Sequence, residues 1–265
     1  LITMVPAGIA GAAFTSVKQS GQRMSSRDGY FIVASAWILI SLIGALPLYI
    51  NGGFASYWDA LFEIVSGFTT TGASILAAPE ELGHGVLFWR SFTHWIGGMG
   101  VLVFLLMVMP MENDNSMHLV RAEVPGPTAG KLVPRMRTTS MILYGIYGSM
   151  TLILVALLCL FGMNPFDSFC IAFGTAGTGG FAVSGAGIAG YNSLAIEVTL
   201  GIFMLLFGVN FTVYHLIMLR KIKDALFMEE VRAYFAIVAA ATVAITWNIL
   251  SFAGGFGNAL RQAFF

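Results

Sequence analysis

Threonine and glycine crowd together twice in this chain, as SGFTTTGAS at 66–74 and as GTAGTGGFA at 174–182. A cation leaving water must replace its hydration oxygens, and successive backbone carbonyls can supply them. Glycine suits that task because it reaches the rare φ angles that aim neighbouring carbonyls one way. Threonine adds a hydroxyl oxygen on a stiff χ1. Neither segment contains an acidic residue, which favours dehydration of a monovalent ion over a carboxylate ring for a divalent one. A lone TTTG would be an ordinary turn, so the weight rests on what precedes it.

What precedes each loop is an apolar segment too short to cross a bilayer. Residues 57–67, YWDALFEIVSG, rise about 15 Å as a helix, roughly half a hydrocarbon core. A half-helix followed by irregular backbone is tolerated at that depth only where protein buries it or water lines it. The segment therefore reads as re-entrant, with its return limb starting at Gly72. Such a half-helix entering from outside points its partially negative C-terminus at the loop, which favours a cation there.

The design repeats. WDALFEIVSGFTTTG from Trp58 and FDSFCIAFGTAGTGG from Phe166 align without a gap at an offset of about 108 residues, pairing Asp59 with Asp167 and Gly72 with Gly180. Ser56 and Asn164 are the expected N-caps, with Pro165 at the first helical position and Asp59 and Asp167 at the third. A third copy begins at GNALRQAFF, 257–265, with Asn258 opposite Asp59. Repeats of this kind are familiar from transport proteins.

The rest of the chain must hold these loops in a membrane. Of 265 residues 57% are hydrophobic and 10% charged, and apolar runs predict spans near 1–15, 30–50, 86–110, 138–162, 193–219 and 233–253. Basic residues fall in alternate connections: Lys18, Arg23 and Arg27; Arg121, Lys131, Arg135 and Arg137; Arg220, Lys221, Lys223 and Arg232. The connections 51–85 and 163–192 carry no Lys or Arg. The positive-inside rule puts the basic set in the cytoplasm and the Thr/Gly loops outside; Arg90 and Arg261 are the exceptions. Lys and Arg balance Asp and Glu at 13 each, so charge implies no nucleic-acid partner. Leu1 opens an apolar segment without an initiator Met or a charged leader, and the pattern runs on to Phe265, so the chain reads as an excerpt of a longer one.

Further residues carry weaker expectations. Gly97-Gly98-Met99-Gly100, in the span after the first loop, should let helices pack closely. Glu80, Glu81 and His84 read as solvated loop residues, His94 and His215 as hydrogen-bonded packing residues, and Glu197 as interfacial. Asn210, within the expected span 193–219, either bonds another helix or faces the pore. Cys159 and Cys170 read as small buried residues. The basic connection 111–137 is either a linker or a contact surface for a partner, and would also attract anionic lipid headgroups. His84, His94, His118 and His215 form no HExxH or GxSxG arrangement, so no catalytic residues are expected.

Taken together, Thr69-Thr70-Thr71-Gly72-Ala73-Ser74, Thr178-Gly179-Gly180-Phe181, HWIGGMGVLVF at 94–104, HLVRAEVPGPTAGKLVPR at 118–135 and the ALRQAFF ending resemble the TrkH/KtrB superfamily of potassium transporters, the TrkH branch more than the KtrB branch. The resemblance covers essentially the whole chain. It implies an all-α integral membrane fold of repeated units, each a helix, a re-entrant half-helix, a filter loop and a helix, with four units around one pore. On this reading residues 1–17 end a preceding helix, 18–110 and 111–220 are two complete units, and 221–265 begin a third. The resemblance carries the ion-contacting positions to Thr70, Thr71, Thr178 and Gly179, with Gly72 and Gly180 as filter glycines. It further implies potassium as the transported ion, no covalently bound cofactor, a bacterial inner-membrane location, a homodimer and a cytoplasmic TrkA-type nucleotide-binding partner that gates flow. Ion-coupled secondary transport is the alternative; midplane carboxylates and inverted repeats would favour it, whereas these repeats keep one topology.

Overall fold

The computed structural model describes Gly8 and residues 26–100 and 136–264. Apart from Gly8, the expected span 1–15, residues 101–110 of the expected span 86–110, residues 16–25 of the connection 16–29 and residues 111–135 of the connection 111–137 lie outside the described residues. Among the described residues the chain is helical, without strands. In order come α1 (Ser26–Ile50), α2 (Tyr57–Phe68), α3 (His84–Met99), α4 (Met136–Leu160), α5 (Pro165–Ala176), α6 (Leu194–Gly208), α7 (Thr212–Met218), α8 (Ile222–Leu226), α9 (Glu229–Ile249) and α10 (Phe256–Phe264). Three of them, α1, α4 and α9, are long and apolar enough to cross a membrane. Exposed Phe31, Leu152 and Trp247 suit lipid contact, since lipid imposes no cost on such surface.

Each unit builds the same way. Helix α2 lies between α1 and α3, and α5 packs against α4, α6 and α3. Both half-helices have 12 residues, a rise of roughly 18 Å. Their starts are capped as the sequence requires: Ser56 Oγ accepts from the Trp58 N–H and Asn164 Oδ1 from the Phe166 N–H.

Helix α3 joins the two units by dividing its faces. Phe88, Phe92 and Trp95, at helical spacing, meet Phe173 of α5 at ring separations of 5.5–6.0 Å. Trp89 turns instead to α1, donating to the Gly44 carbonyl at 2.9 Å. A third face carries Arg90, Ser91, Thr93 and His94, all buried. Gly97 and Gly98 end this helix where no side chain fits. A Cβ at Gly97 would strike the Phe68 carbonyl; one at Gly98 would come within 2.6 Å of the Tyr147 hydroxyl and 2.7 Å of Gly177 Cα. The expected close packing holds, and α3 stops at Met99 with Gly100 at φ 84°.

One expected span is broken. Instead of running through 193–219, the chain ends α6 at Gly208 and resumes in α7 after a bend of 91°. Asn210 explains the restart: its Oδ1 accepts from the Thr212 N–H and its Nδ2 donates to Glu230 Oε2 at 2.9 Å. The carbonyls freed at the end of α6 are taken by tyrosines, Tyr214 on Leu206 and Tyr234 on Leu205, which a break at membrane depth demands. Asn210 thus bonds another helix. Helix α9 runs from Glu229 to Ile249, starting and stopping about four residues before the expected span.

Candidate functional site

The two Thr/Gly loops adopt one backbone. Thr70 and Thr178 both have left-handed φ, 53° and 55°, and Gly72 and Gly180 follow at 75° and 80°. Hydrogen bonding matches position by position. Thr69 N–H donates to the Val65 carbonyl and Gly177 to that of Phe173; Thr70 donates to Gly67 and Thr178 to Thr175; Thr71 donates to Ser66 and Gly179 to Gly174, all at 2.9–3.0 Å. These bonds close the last carbonyls of α2 and α5 and release the chain in alternating conformations. A β-branched residue with positive φ is strained, by about 1–2 kcal/mol, and such strain concentrates where a structure performs a task.

Side chains do not repeat as the backbone does. Thr69 Oγ1 donates to the Val65 carbonyl at 2.7 Å and lies 2.8 Å from Thr71 Oγ1. With its own proton spent on Val65, Thr69 accepts from Thr71, whose hydroxyl therefore points back to the helix end. Gly177 and Gly179 fill the matching places in the second loop and offer no hydroxyl. What the loops share is main chain.

They also touch. A Cβ at Gly72 would strike the Gly179 carbonyl, whereas one at Gly180 would meet no described atom within 4 Å. Behind them sits the polar face of α3. His94 packs on Phe181 with ring centroids 3.9 Å apart, and a Cβ at Gly179 would come within 2.5 Å of its ring. Neither ring nitrogen is within strict hydrogen-bond geometry of a described residue, although the Ser66 backbone interacts with the imidazole; His94 packs as expected. Nδ1 of buried His215 is not within such geometry either.

Arg90, an exception in the charge pattern, is buried at 1% exposure beside Glu63, at 0%. Its Nε donates to Glu63 Oε1 at 2.6 Å and its Nη1 to the Ala182 carbonyl at 3.0 Å, and its guanidinium carbon stands 3.5 Å over the Phe181 ring. Glu63 also accepts from Ser74 Oγ at 2.8 Å and from the Ile75 N–H at 3.2 Å. The sequence reading missed this pair. Its trace was there: Arg90, Thr93, His94 and Gly97 follow helical i, i+3, i+4, i+7 spacing, one polar stripe on an apolar helix.

The connection between the first Thr/Gly loop and α3 is tied down as well. Glu80 is exposed, as expected, but not free: its Oε2 accepts from the Gly185 N–H at 2.7 Å. Its own backbone N–H and that of Gly185 hold the carboxyl below its ordinary value. His84, expected as loop surface, begins α3 and meets the Phe166 ring edge-on at 4.6 Å. Arg261, the other charge exception, pairs in two-pronged fashion with Glu197, both bonds 2.6 Å, joining α10 to α6. Cys170 is buried and Cys159 half-buried, both free thiols.

Comparison with known proteins agrees with this architecture. The family model TrkH, cation transport protein, matches residues 3–260. Trk system potassium uptake protein TrkG of Escherichia coli is 34% identical over 247 residues, covering 91% of this chain and 51% of that protein. Trk system potassium uptake protein TrkH of Vibrio parahaemolyticus is 37% identical over 193 residues, 72% of this chain and 40% of that one. The crystal structure of the potassium transporter TrkH from Vibrio parahaemolyticus superimposes with a TM-score of 0.84 at 28% identity, over 99% of this chain and 55% of that chain. The chain spans about half the length of these relatives. It belongs to the TrkH family of cation transport proteins.

Proposed function

We propose that the complete protein takes up potassium across a bacterial inner membrane, passively, through a filter of backbone carbonyls to which these two loops contribute. The observation that carries the reading is the matched backbone: left-handed φ at Thr70 and Thr178 and again at Gly72 and Gly180, kept although Thr69 and Thr71 are replaced by Gly177 and Gly179. Evolutionary reuse of a main-chain shape with unlike side chains suits a site that works through carbonyls. Thr70, Thr71, Gly72, Thr178, Gly179 and Gly180 are the proposed potassium-binding positions, on the outer, periplasmic side. Potassium is substrate rather than cofactor.

The resemblance to relatives named for potassium uptake supports the ion. By the same reasoning the protein forms a homodimer and is gated by a cytoplasmic TrkA-type nucleotide-binding subunit. Ion-coupled secondary transport fits less well. Glu63, a buried carboxylate beside the first loop, already accepts bonds from Arg90, Ser74 and Ile75 and is not free to carry a coupling ion. Gly180→Asp in the complete chain tests the filter. A carboxylate at this position should weaken discrimination against sodium or abolish flux, measured as rubidium and sodium uptake; wild-type flux and preference would refute the assignment.

A further inference from the structure

We propose that Glu63 and Arg90 are positioning residues for ion preference, a single buried strut that fixes the two loops against each other; the proposal rests on the filter reading above. Four observations carry it. First, the strut grips both loops at one place in the repeat. Ser74, held by Glu63, lies two residues past Gly72, and Ala182, held by Arg90, lies two residues past Gly180.

Second, the grip is on main chain as well as side chain. Arg90 takes the carbonyl of Ala182 and Glu63 takes the N–H of Ile75, so any shift of the pair moves the backbone that follows the filter positions. Third, the guanidinium is used in three ways at once. It donates to the carboxylate and the carbonyl, and its central carbon stands 3.5 Å over the Phe181 ring, a combination that suits a planar two-armed cation.

Fourth, the pair is not something each unit needs in order to fold. Ile171 stands at the position of Glu63 in the second copy, and α6, the counterpart of α3, carries no basic residue. The second unit therefore packs an apolar side chain where the first buries a charge. Apolar replacements of buried ion pairs are often as stable as the pair or more so, which leaves registry between the loops as the reason for the charges. Ion preference depends on carbonyl spacing, so registry is preference.

The test uses the complete chain with its regulatory partner, in cells stripped of their own potassium uptake, reading the ratio of rubidium to sodium uptake. That ratio does not depend on how much protein reaches the membrane. Arg90→Lys keeps the charge but loses the fork and the stacking, and should lower the ratio about tenfold, since a displacement on the order of 1 Å at a tuned site has effects of that size or more. Ser74→Ala leaves the ion pair intact and frees only the first loop; it should shift the ratio in the same direction by less. Together the two changes should be less than additive, as for members of one network. A wild-type ratio in inserted Arg90→Lys overturns the proposal, and where that variant fails to insert, a wild-type ratio in Ser74→Ala does so. Gly72→Asp run in parallel separates the two ideas. A changed ratio there with unchanged ratios in the strut variants overturns the strut alone; no change at Gly72 overturns the filter reading and the strut with it.

Discussion

Gly72 and Gly180 hold matching places in two matching loops, yet substitution should not treat them alike. Both have φ in the left-handed region, where a Cβ costs about 1–2 kcal/mol. At Gly72 the Cβ also strikes the Gly179 carbonyl, while at Gly180 the described surroundings are open. Gly72→Ala should therefore push the two loops apart and lose most rubidium uptake at normal membrane abundance, whereas Gly180→Ala should keep a larger share. Equal uptake in the two variants would contradict the loop contact. That both glycines hold equivalent positive-φ places was legible in sequence, from their register in two ungapped copies. The difference between them was not, because it depends on which glycine faces the other loop. The sequence also leaves Thr71 looking like an ion ligand through its hydroxyl; the hydroxyl is turned to Thr69, leaving the carbonyl as the group the repeat shares.

Among the elements, α3 carries the most information per residue. Its aromatic edge packs on α5, its tryptophan holds α1, its polar stripe backs the loops, and its terminal glycines let α2 and α5 approach. Gly98→Ala drives a methyl toward Gly177 Cα and the Tyr147 hydroxyl and should destabilise the fold by roughly 1–3 kcal/mol, the usual range for overpacking. Gly145→Ala is the control: no described atom lies within 4 Å of its Cβ in α4, so better helix propensity should add about 0.5–1 kcal/mol. Thermal unfolding of the detergent-solubilised protein checks the pair, and the same sign for both would contradict the packing described. The half-helices, their caps and the spans α1, α4 and α9 were legible because period, length and cap residues all agree. The break at 209–211 was not, since no proline marks it and mean hydropathy is blind to it. It is made by Asn210 meeting Glu230 and by two tyrosines finding freed carbonyls, and Glu230 and Tyr234 come from another helix, α9.

For the whole molecule, the legible part was an all-helical membrane fold with two paired half-helices, α2 and α5, each of 12 residues and each leading into a Thr/Gly loop. The illegible part was how charges are spent inside it. Arg90 and Arg261 look like violations of the charge rule, and each is paired, with Glu63 and Glu197, across elements that sequence distance does not connect. Both pairs tie one helix to another, α2 to α3 and α6 to α10. The central claim is that the Thr/Gly backbone selects the ion, and one comparison tests it most directly. The complete chain, with its regulatory partner, is expressed in cells lacking their own potassium uptake, and potassium-limited growth and rubidium uptake are measured for wild type and for Gly72→Asp. Rescue by wild type, with loss or altered ion preference in a normally inserted Gly72→Asp, is the predicted result. Rescue with unchanged ion preference in both, or no rescue by a wild-type protein present in the membrane, would contradict it.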